Sequence, residues 1–295
     1  VAAGWELLHR RFSAYLALTK PTLQLLVVVT GAAALVLEGS LLHQPSRFAF
    51  VLICLALSAG SAKALNQFLE RRVDAAMTRT RLRRPLPLGL IRPGEALGVA
   101  ILLGIISVGG FWLFFNPQAA LLSIATILFY SFFYTLYLKP RTPYSIVIGG
   151  VAGGMGPVIA WAAAAGSPSP VAWLMLSVVF FWTPPHFWSL AIRYNDDYRR
   201  IGYPMLPAVK SIAGTWRAII RYAWMTALVS LALFAAGAGW IYGSAAVVSG
   251  GIFLVRIYRA RNRHSEAEAR SVFLYSIVYL LVLFAALIVD GIVRL

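Results

Sequence analysis

Negative charge is the scarcest feature of this chain. Only 10 of its 295 residues are Asp or Glu, and charged residues of both signs make up 12%. An ordinary soluble domain carries roughly a quarter charged residues. With 60% hydrophobic residues and a mean hydropathy of +0.77, the composition excludes that class. Cysteine is nearly missing as well. The lone Cys54 leaves no partner for an internal disulfide and no cysteine cluster for a metal. No cleavable signal peptide is legible, because the first apolar run is long enough to span a bilayer and lacks a convincing cleavage site. The sequence opens at Val1 without a methionine, as a processed or trimmed chain would.

What is present is a series of apolar runs of membrane-spanning length. Nine candidates lie near residues 23–42, 48–69, 96–115, 119–138, 146–165, 171–192, 222–240, 241–257 and 272–292. The eighth is the least well marked, since Gly243, Gly250 and Gly251 interrupt it. The expected fold is an all-α integral membrane protein. About nine transmembrane helices form one domain over residues 1–295, bundled around a central cavity open toward the cytoplasmic side. Residues 1–20, with His9, Arg10 and Arg11, read as a cytoplasmic amphipathic approach to the membrane, and Lys20 as an anchor at the inner interface.

A net charge of +16 would suit a nucleic-acid binder, but the positions of the charges decide otherwise. With nine spans and the N-terminus inside, all but Arg47, Lys63 and Arg294 of the 26 Lys and Arg fall on the cytoplasmic side. That is the positive-inside bias. It implies a multi-pass protein of the cell (inner) membrane whose lipid contacts and polar loops face inward, with no role for nucleic acid.

Against that scarcity of acid, Asn66, Glu70 and Asp74 recur every four residues at the inner end of the second span. On a helix, such positions share one face, so three oxygen ligands form a short ridge. Magnesium takes one or two carboxylates plus substrate phosphate oxygens. The following Arg79-Thr-Arg81-Leu-Arg83-Arg84 could hold the remaining phosphate charge. The plainer alternative is a solvated helix end with balanced charge. Lys63, inside the span on the same face, is either functional or a structural partner of Glu70. A second acidic island, Asn195-Asp196-Asp197, follows the sixth span, four spans after the first. That interval suggests two four-helix halves with a ninth helix added.

The fifth span carries Gly149, Gly150, Gly153, Gly154 and Gly156. Small residues allow close helix approach and would equally leave room for a flat or isoprenoid ligand. In the sixth span, Pro184 and Pro185 are expected to kink the helix. Around them, Trp182, His186 and Trp188 suggest a cavity at membrane depth. Two acidic clusters at one membrane face, with arginines around them, make a magnesium-diphosphate site plausible. An apolar cavity beside it would suit a polyprenyl tail.

Several motifs resemble those of the intramembrane UbiA-type prenyltransferases, and more closely their protoheme IX farnesyltransferase (heme O synthase) branch. They are Leu18-Thr-Lys-Pro21, Asn66/Glu70/Asp74, Arg79-Thr-Arg81, Arg84-Pro-Leu-Pro87, Arg141-Thr-Pro143, Ile146-Val-Ile-Gly-Gly150, Trp182-Thr-Pro-Pro-His-Phe-Trp188, Asp196-Asp-Tyr198 and Pro204-Met-Leu-Pro207. The resemblance covers roughly residues 16–207. It implies transfer of a farnesyl group from farnesyl diphosphate to a vinyl group of heme B, a substrate rather than a cofactor, with Mg2+ as the cofactor. Heme A synthase is a candidate recipient of the product. In that scheme Asn66, Glu70, Asp74, Asp196 and Asp197 hold metal and diphosphate. Lys63, Arg81, Arg84, Lys139 and Arg141 are phosphate partners, and His186, Trp182 and Trp188 lie on the heme side. Two departures stand out. Glu70 occupies a position that is often Asp in the wider superfamily, and the run Arg81-Leu-Arg83-Arg84 is one residue longer than usual, which leaves open which arginine meets phosphate. Prenylation of an aromatic acid in quinone biosynthesis is the alternative within the superfamily. A transporter is the alternative outside it, disfavoured because the polar residues gather at one face rather than at the midplane.

Overall fold

The computed structural model describes residues 2–263 and 265–294, with the side chains of residues 2–9 and Leu23 outside the described set. The part of the amphipathic reading that rests on His9 therefore lies outside the described residues. Every regular element among those described is helical, as a chain in lipid requires if its backbone groups are to be satisfied internally. The long helices are α1 (Ala2–Thr19), α2 (Pro21–Glu38) and α3 (Pro45–Leu69), followed by the short α4 (Arg71–Ala76) and α5 (Thr78–Arg81). Then come α6 (Pro93–Phe114) and α7 (Pro117–Leu128), the latter running straight into a π-helical stretch, Phe129–Leu138. After α8 (Ser145–Ala165) and α9 (Pro170–Arg193) lie the short α10 (Asn195–Arg200) and α11 (Leu206–Val209). The chain closes with α12 (Ile212–Ala235), α13 (Trp240–Arg263) and α14 (Glu266–Val293).

Eight of these are long and apolar enough to cross a membrane, and α1 with α2 makes a ninth if Arg10–Thr19 and Gln24–Glu38, which meet at 53°, count as one bent span. Proline opens α2, α3, α6, α7 and α9. There its missing N–H is one the first helical turn would leave unpaired anyway. Gly39 and Gly166 end α2 and α8 in the left-handed conformation.

The seventh and eighth spans differ from expectation. Helix α12 starts ten residues before position 222, capped by Ser211, whose hydroxyl accepts from Gly214 N at 3.1 Å. It ends before Gly237, at φ +109°. The glycines do not interrupt α13. Gly243 instead receives the ring of Phe234. The α12–α13 turn is pinned by Asp290 of α14, which accepts from Gly239 N at 2.5 Å and Ile241 N at 3.1 Å. A Cβ on Gly239 would collide with that carboxylate.

Helix α9 also runs unbroken through Pro184 and Pro185. Pro184 cannot donate to the Phe180 carbonyl. That carbonyl faces Gly150 of α8, where an added Cβ would lie 3.4 Å away. Gly154 likewise meets the Leu176 backbone, and Gly156 meets α2 at Val27 and Thr30. These glycines serve close packing. Gly153 has nothing within 4 Å of its missing Cβ and opens onto a cavity.

Helices α2, α3, α6 and α7 form one group and α8, α9, α12 and α13 another, with α2 and α8 packed across between them. Helix α14 is wedged against α13, α9 and α2. Because successive spans alternate in direction, the connections after α3 and α9 emerge at the same end of the bundle. The connection from α7 to α8 emerges there too.

Candidate active site

The ridge forms at that end. Helix α3 stops at Leu69, yet Glu70 N still bonds to Asn66 O at 2.9 Å and Asp74 N to Glu70 O at 2.8 Å. The four-residue register therefore survives the joint into α4. Asn66, Glu70 and Asp74 are 3%, 3% and 2% exposed. Asn66 Nδ2 donates to Glu70 Oε2 and to Thr135 Oγ1, each at 3.1 Å. Lys139 Nζ meets Glu70 Oε1 at 2.5 Å. Arg84 pairs with Asp74 and reaches Glu70 Oε2 at 3.9 Å.

The π-helical stretch supplies the opposite wall. Its wider turn, closed by Lys139 N to Tyr134 O at 2.9 Å, sets Lys139 against Glu70 and Thr135 against Asn66. Such segments recur at functional sites. One turn deeper, Lys63 Nζ donates to Tyr130 Oη at 2.9 Å and lies 4.3 Å from the centre of that ring. Lys63 therefore does not pair with Glu70. It stands where the polar cluster meets an apolar cavity of about 70 Å³, walled by α2, α3, α7 with its π extension, and α8. Val27, Leu55, Ile127, Gly153 and Ile159 line it.

Electrostatics separate the two carboxylates. Burial would raise the pKa of Glu70, but the Lys139 ammonium and its hydrogen bond hold it below the usual carboxylate range. Burial also raises Asp74, with the Glu70 charge adding to the effect, and Arg84 opposes without reversing it. One ridge thus carries a firmly ionised carboxylate beside one whose charge is costly without a further cation.

The other expected residues divide. Arg84 is the member of its run that turns inward, while Arg81 and Arg83 are exposed. That settles geometrically which arginine faces the carboxylates. Arg141 is exposed and donates to the carbonyls of Leu136 and Tyr137 at 3.0 and 3.2 Å, closing the π-helical end rather than joining the cluster. Asp196 is exposed and makes no hydrogen bond among the described residues. Asp197 accepts from Arg79 N at 3.1 Å and Thr78 N at 3.4 Å and pairs with Arg200, so it docks α10 onto the start of α5. Desolvation works against its charge, but the Arg79 and Thr78 donors hold its carboxyl below the ordinary range. Asp197 therefore holds the two acidic loops together and is not turned to the ridge.

The sixth-span motif also lies elsewhere. His186 Nδ1 is 2.7 Å from Ser276 Oγ, its ring stacks on Trp182 at 4.3 Å, and Trp182 Nε1 donates to Ser276 O at 2.7 Å. Trp188 is fully buried, edge-on to Tyr222. Positions 182 and 186 share the helix face turned to α14, whereas Thr183 and Phe180 turn to Gly150 of α8. The cavity takes no lining residue from α9. Trp182, His186 and Trp188 are not among the residues lining that cavity.

Two site residues escaped the sequence reading. Lys20 lies within electrostatic reach of Arg84, Lys63, Asp74 and Lys139. It is the one non-glycine residue at positive φ among those described, at 51°, a conformation that costs about 1–3 kcal/mol and gathers at functional sites. The Lys20-Pro21 step in a bent span was its signal. Tyr203, in the loop after α10, places its ring 5.5 Å from Lys139 Nζ. No spacing rule marks it.

Among the described residues no three His, Cys, Asp or Glu side chains gather closely enough to hold a metal. The donor chemistry fits magnesium nonetheless. Asn66, Glu70 and Asp74 offer hard oxygen donors, and a magnesium ion that shares its shell with diphosphate needs only one or two carboxylates. The ring of Lys20, Lys63, Arg84 and Lys139 matches the anion that would accompany it.

The site is thus a buried acid ridge ringed by cations, at the mouth of an apolar cavity in a helical bundle. Residues 26–278 match the UbiA prenyltransferase family. Protoheme IX farnesyltransferase of Granulibacter bethesdensis is 42% identical over 286 residues, covering 94% of this chain and 90% of its own. That of Alkalilimnicola ehrlichii is 43% identical over 282 residues, covering 94% and 91%. The fold is also that of a digeranylgeranylglyceryl phosphate synthase (TM-score 0.77, 16% identity, 97% and 99% covered) and of a UbiA homolog from Archaeoglobus fulgidus bound to GPP and Mg2+ (0.62, 14%, 93% and 99%). The chain belongs to the UbiA prenyltransferase family and, within it, to the protoheme IX farnesyltransferases.

Proposed function

We propose that this enzyme transfers the farnesyl group of farnesyl diphosphate to a vinyl group of heme B, at the cytoplasmic face of the cell membrane. The observation that carries the donor half is the continuity of the cation-ringed ridge, through Lys63, with the apolar cavity. The diphosphate is held by Lys139, Arg84, Lys63 and Lys20, and the isoprenoid tail extends toward Gly153, where α8 leaves space. Magnesium, held by Asn66, Glu70 and Asp74 with Asp196 as the available carboxylate of the second loop, would neutralise charge on the departing diphosphate.

Lys139 and Arg84 have two roles. Without substrate they neutralise Glu70 and Asp74, and with substrate they would turn to phosphate oxygens, leaving both carboxylates available to hold magnesium. The allylic C–O bond breaks with its electron pair leaving on diphosphate. The vinyl group attacks the allylic carbon, water adds to the resulting cation, and a proton is released. The Tyr130 ring, already 4.3 Å from the Lys63 cation, is placed to face positive charge developing near the ridge. Support for heme B as acceptor comes from the relatives' names and not from the sixth-span side chains. Full-length protein in detergent, given heme B and farnesyl diphosphate with magnesium, is expected to yield the hydroxyethylfarnesyl heme by mass. Prenylated 4-hydroxybenzoate from a mixture of both acceptors would refute the assignment.

A further inference from the structure

The outer seam of α13 and α14 carries a second charged feature, away from the ridge. Arg256, Arg259 and Arg263 line a groove of about 690 Å³ with Val247, Gly251 and Val255. A second groove of about 400 Å³ shares Arg256 and Ser271 with the first and continues along Arg270, Leu274 and Val278 of α14. The two thus meet at one point, where Arg256 is fixed by donating to Ser271 Oγ at 2.9 Å and by the Tyr275 ring at 4.8 Å. Arg263 is engaged by Glu268 at 2.8 Å. Arg259 and Arg270 are exposed and make no hydrogen bond among the described residues.

Below these arginines the walls are apolar and open. Val247, Val255 and Val278 are 61%, 49% and 50% exposed, and nothing lies within 4 Å of a Cβ added to Gly251. At 1.5 Å per residue, Val247 lies roughly 13 Å below Arg256 and Val278 roughly 12 Å below Arg270. Each wall is therefore about as deep as one leaflet of hydrocarbon, which is half of ~30 Å. The end of α13 and the start of α14 lie on the same side of the bundle as the acid ridge.

We propose that this seam is a binding site for one anionic diacyl phospholipid. Its phosphate sits on Arg256 between Arg259 and Arg270, with one acyl chain in each groove. Positive-inside arginines alone would attract anionic lipid diffusely. A fixed arginine at the junction of two chain-deep grooves gives a stoichiometric site. It also supplies a lipid contact on the two helices that stand farthest along the chain from the catalytic loops.

The test is native mass spectrometry of the full-length protein released from mixed vesicles of phosphatidylglycerol and phosphatidylcholine. One phosphatidylglycerol is expected to be retained per chain. An Arg256→Gln/Arg259→Gln/Arg270→Gln variant is expected to retain it roughly tenfold less or lower. Gly251→Trp, which fills the groove and leaves every charge in place, is expected to lose it comparably. An Arg217→Gln/Arg221→Gln variant on α12 is expected to retain it like the wild type. Equal retention of both lipids, equal loss in the α12 variant, displacement by millimolar inorganic phosphate alone, or a second copy of the chain cross-linked through Arg259 would each overturn the proposal.

Discussion

Removing Lys139 isolates the contribution of the ridge's central ion pair. Glu70 is 3% exposed and Lys139 Nζ is 2.5 Å from its carboxylate. With charge centres about 4 Å apart and an effective dielectric near 20, their gross attraction is about 4 kcal/mol. Lys139→Met would leave the buried Glu70 with the Asn66 amide and the more distant Arg84, a loss of about 3–5 kcal/mol. Glu70→Gln should cost less, about 2 kcal/mol, because the side chain of Lys139 is 15% exposed and has a route to water. In the double variant neither charge is stranded, so the loss should fall well short of the sum, with a coupling of about 2–3 kcal/mol. Reversible unfolding of the full chain in detergent, by denaturant with tryptophan fluorescence, reads all four corners. Additivity within about 0.5 kcal/mol would refute the pairing. Turnover should separate from stability: the double variant should be no less stable than Lys139→Met alone and yet roughly 100-fold or more slower than the wild type, because a cation aimed at the leaving group is gone.

Three further expectations follow from neighbouring residues. Lys20→Gly should relieve the positive φ at residue 20 and raise stability by about 1 kcal/mol, while turnover falls, as thermal unfolding and a rate assay on one preparation would show. Gly153→Leu should raise KM for farnesyl diphosphate and leave folding intact, since it projects into the cavity without a clash. Unchanged KM would remove the tail from that wall. Asp197→Asn should loosen α10 from α5 and expose the connection after Asp74 to limited proteolysis, with metal-dependent activity only partly lost. Complete loss with unaltered proteolysis would return Asp197 to the metal.

Much of this arrangement was legible before any coordinates. Apolar runs gave eight spans, and a ninth if α1 and α2 count as one, because lipid leaves the backbone few options. The register Asn66, Glu70, Asp74 was readable because helix geometry is local, and it survives the joint at Glu70. What local rules cannot give is the partner across a gap. Lys139 and Arg141 looked equivalent in sequence, and only the π-helical turn sends one to Glu70 and the other to the carbonyls behind it. Asp196 and Asp197 likewise looked interchangeable, yet the start of α5 captures one of them. The motif around His186 suggested a cavity because it is aromatic and polar at membrane depth. Trp182 Nε1 and His186 Nδ1 are partnered by Ser276 of α14, more than eighty residues onward, which no spacing rule anticipates.

The central claim is that the prenyl diphosphate lies with its head on the Asn66–Asp74 ridge and its tail in the cavity beside Lys63. Photolabelling the full-length protein with a farnesyl diphosphate analogue carrying a diazirine near the tail end tests this directly. The account predicts adducts on α2, α3, α7 and α8, at residues such as Val27, Ile127 and Ile159, that disappear when unlabelled farnesyl diphosphate competes. Adducts concentrated in the α9–α14 seam around His186 and Ser276 would contradict it.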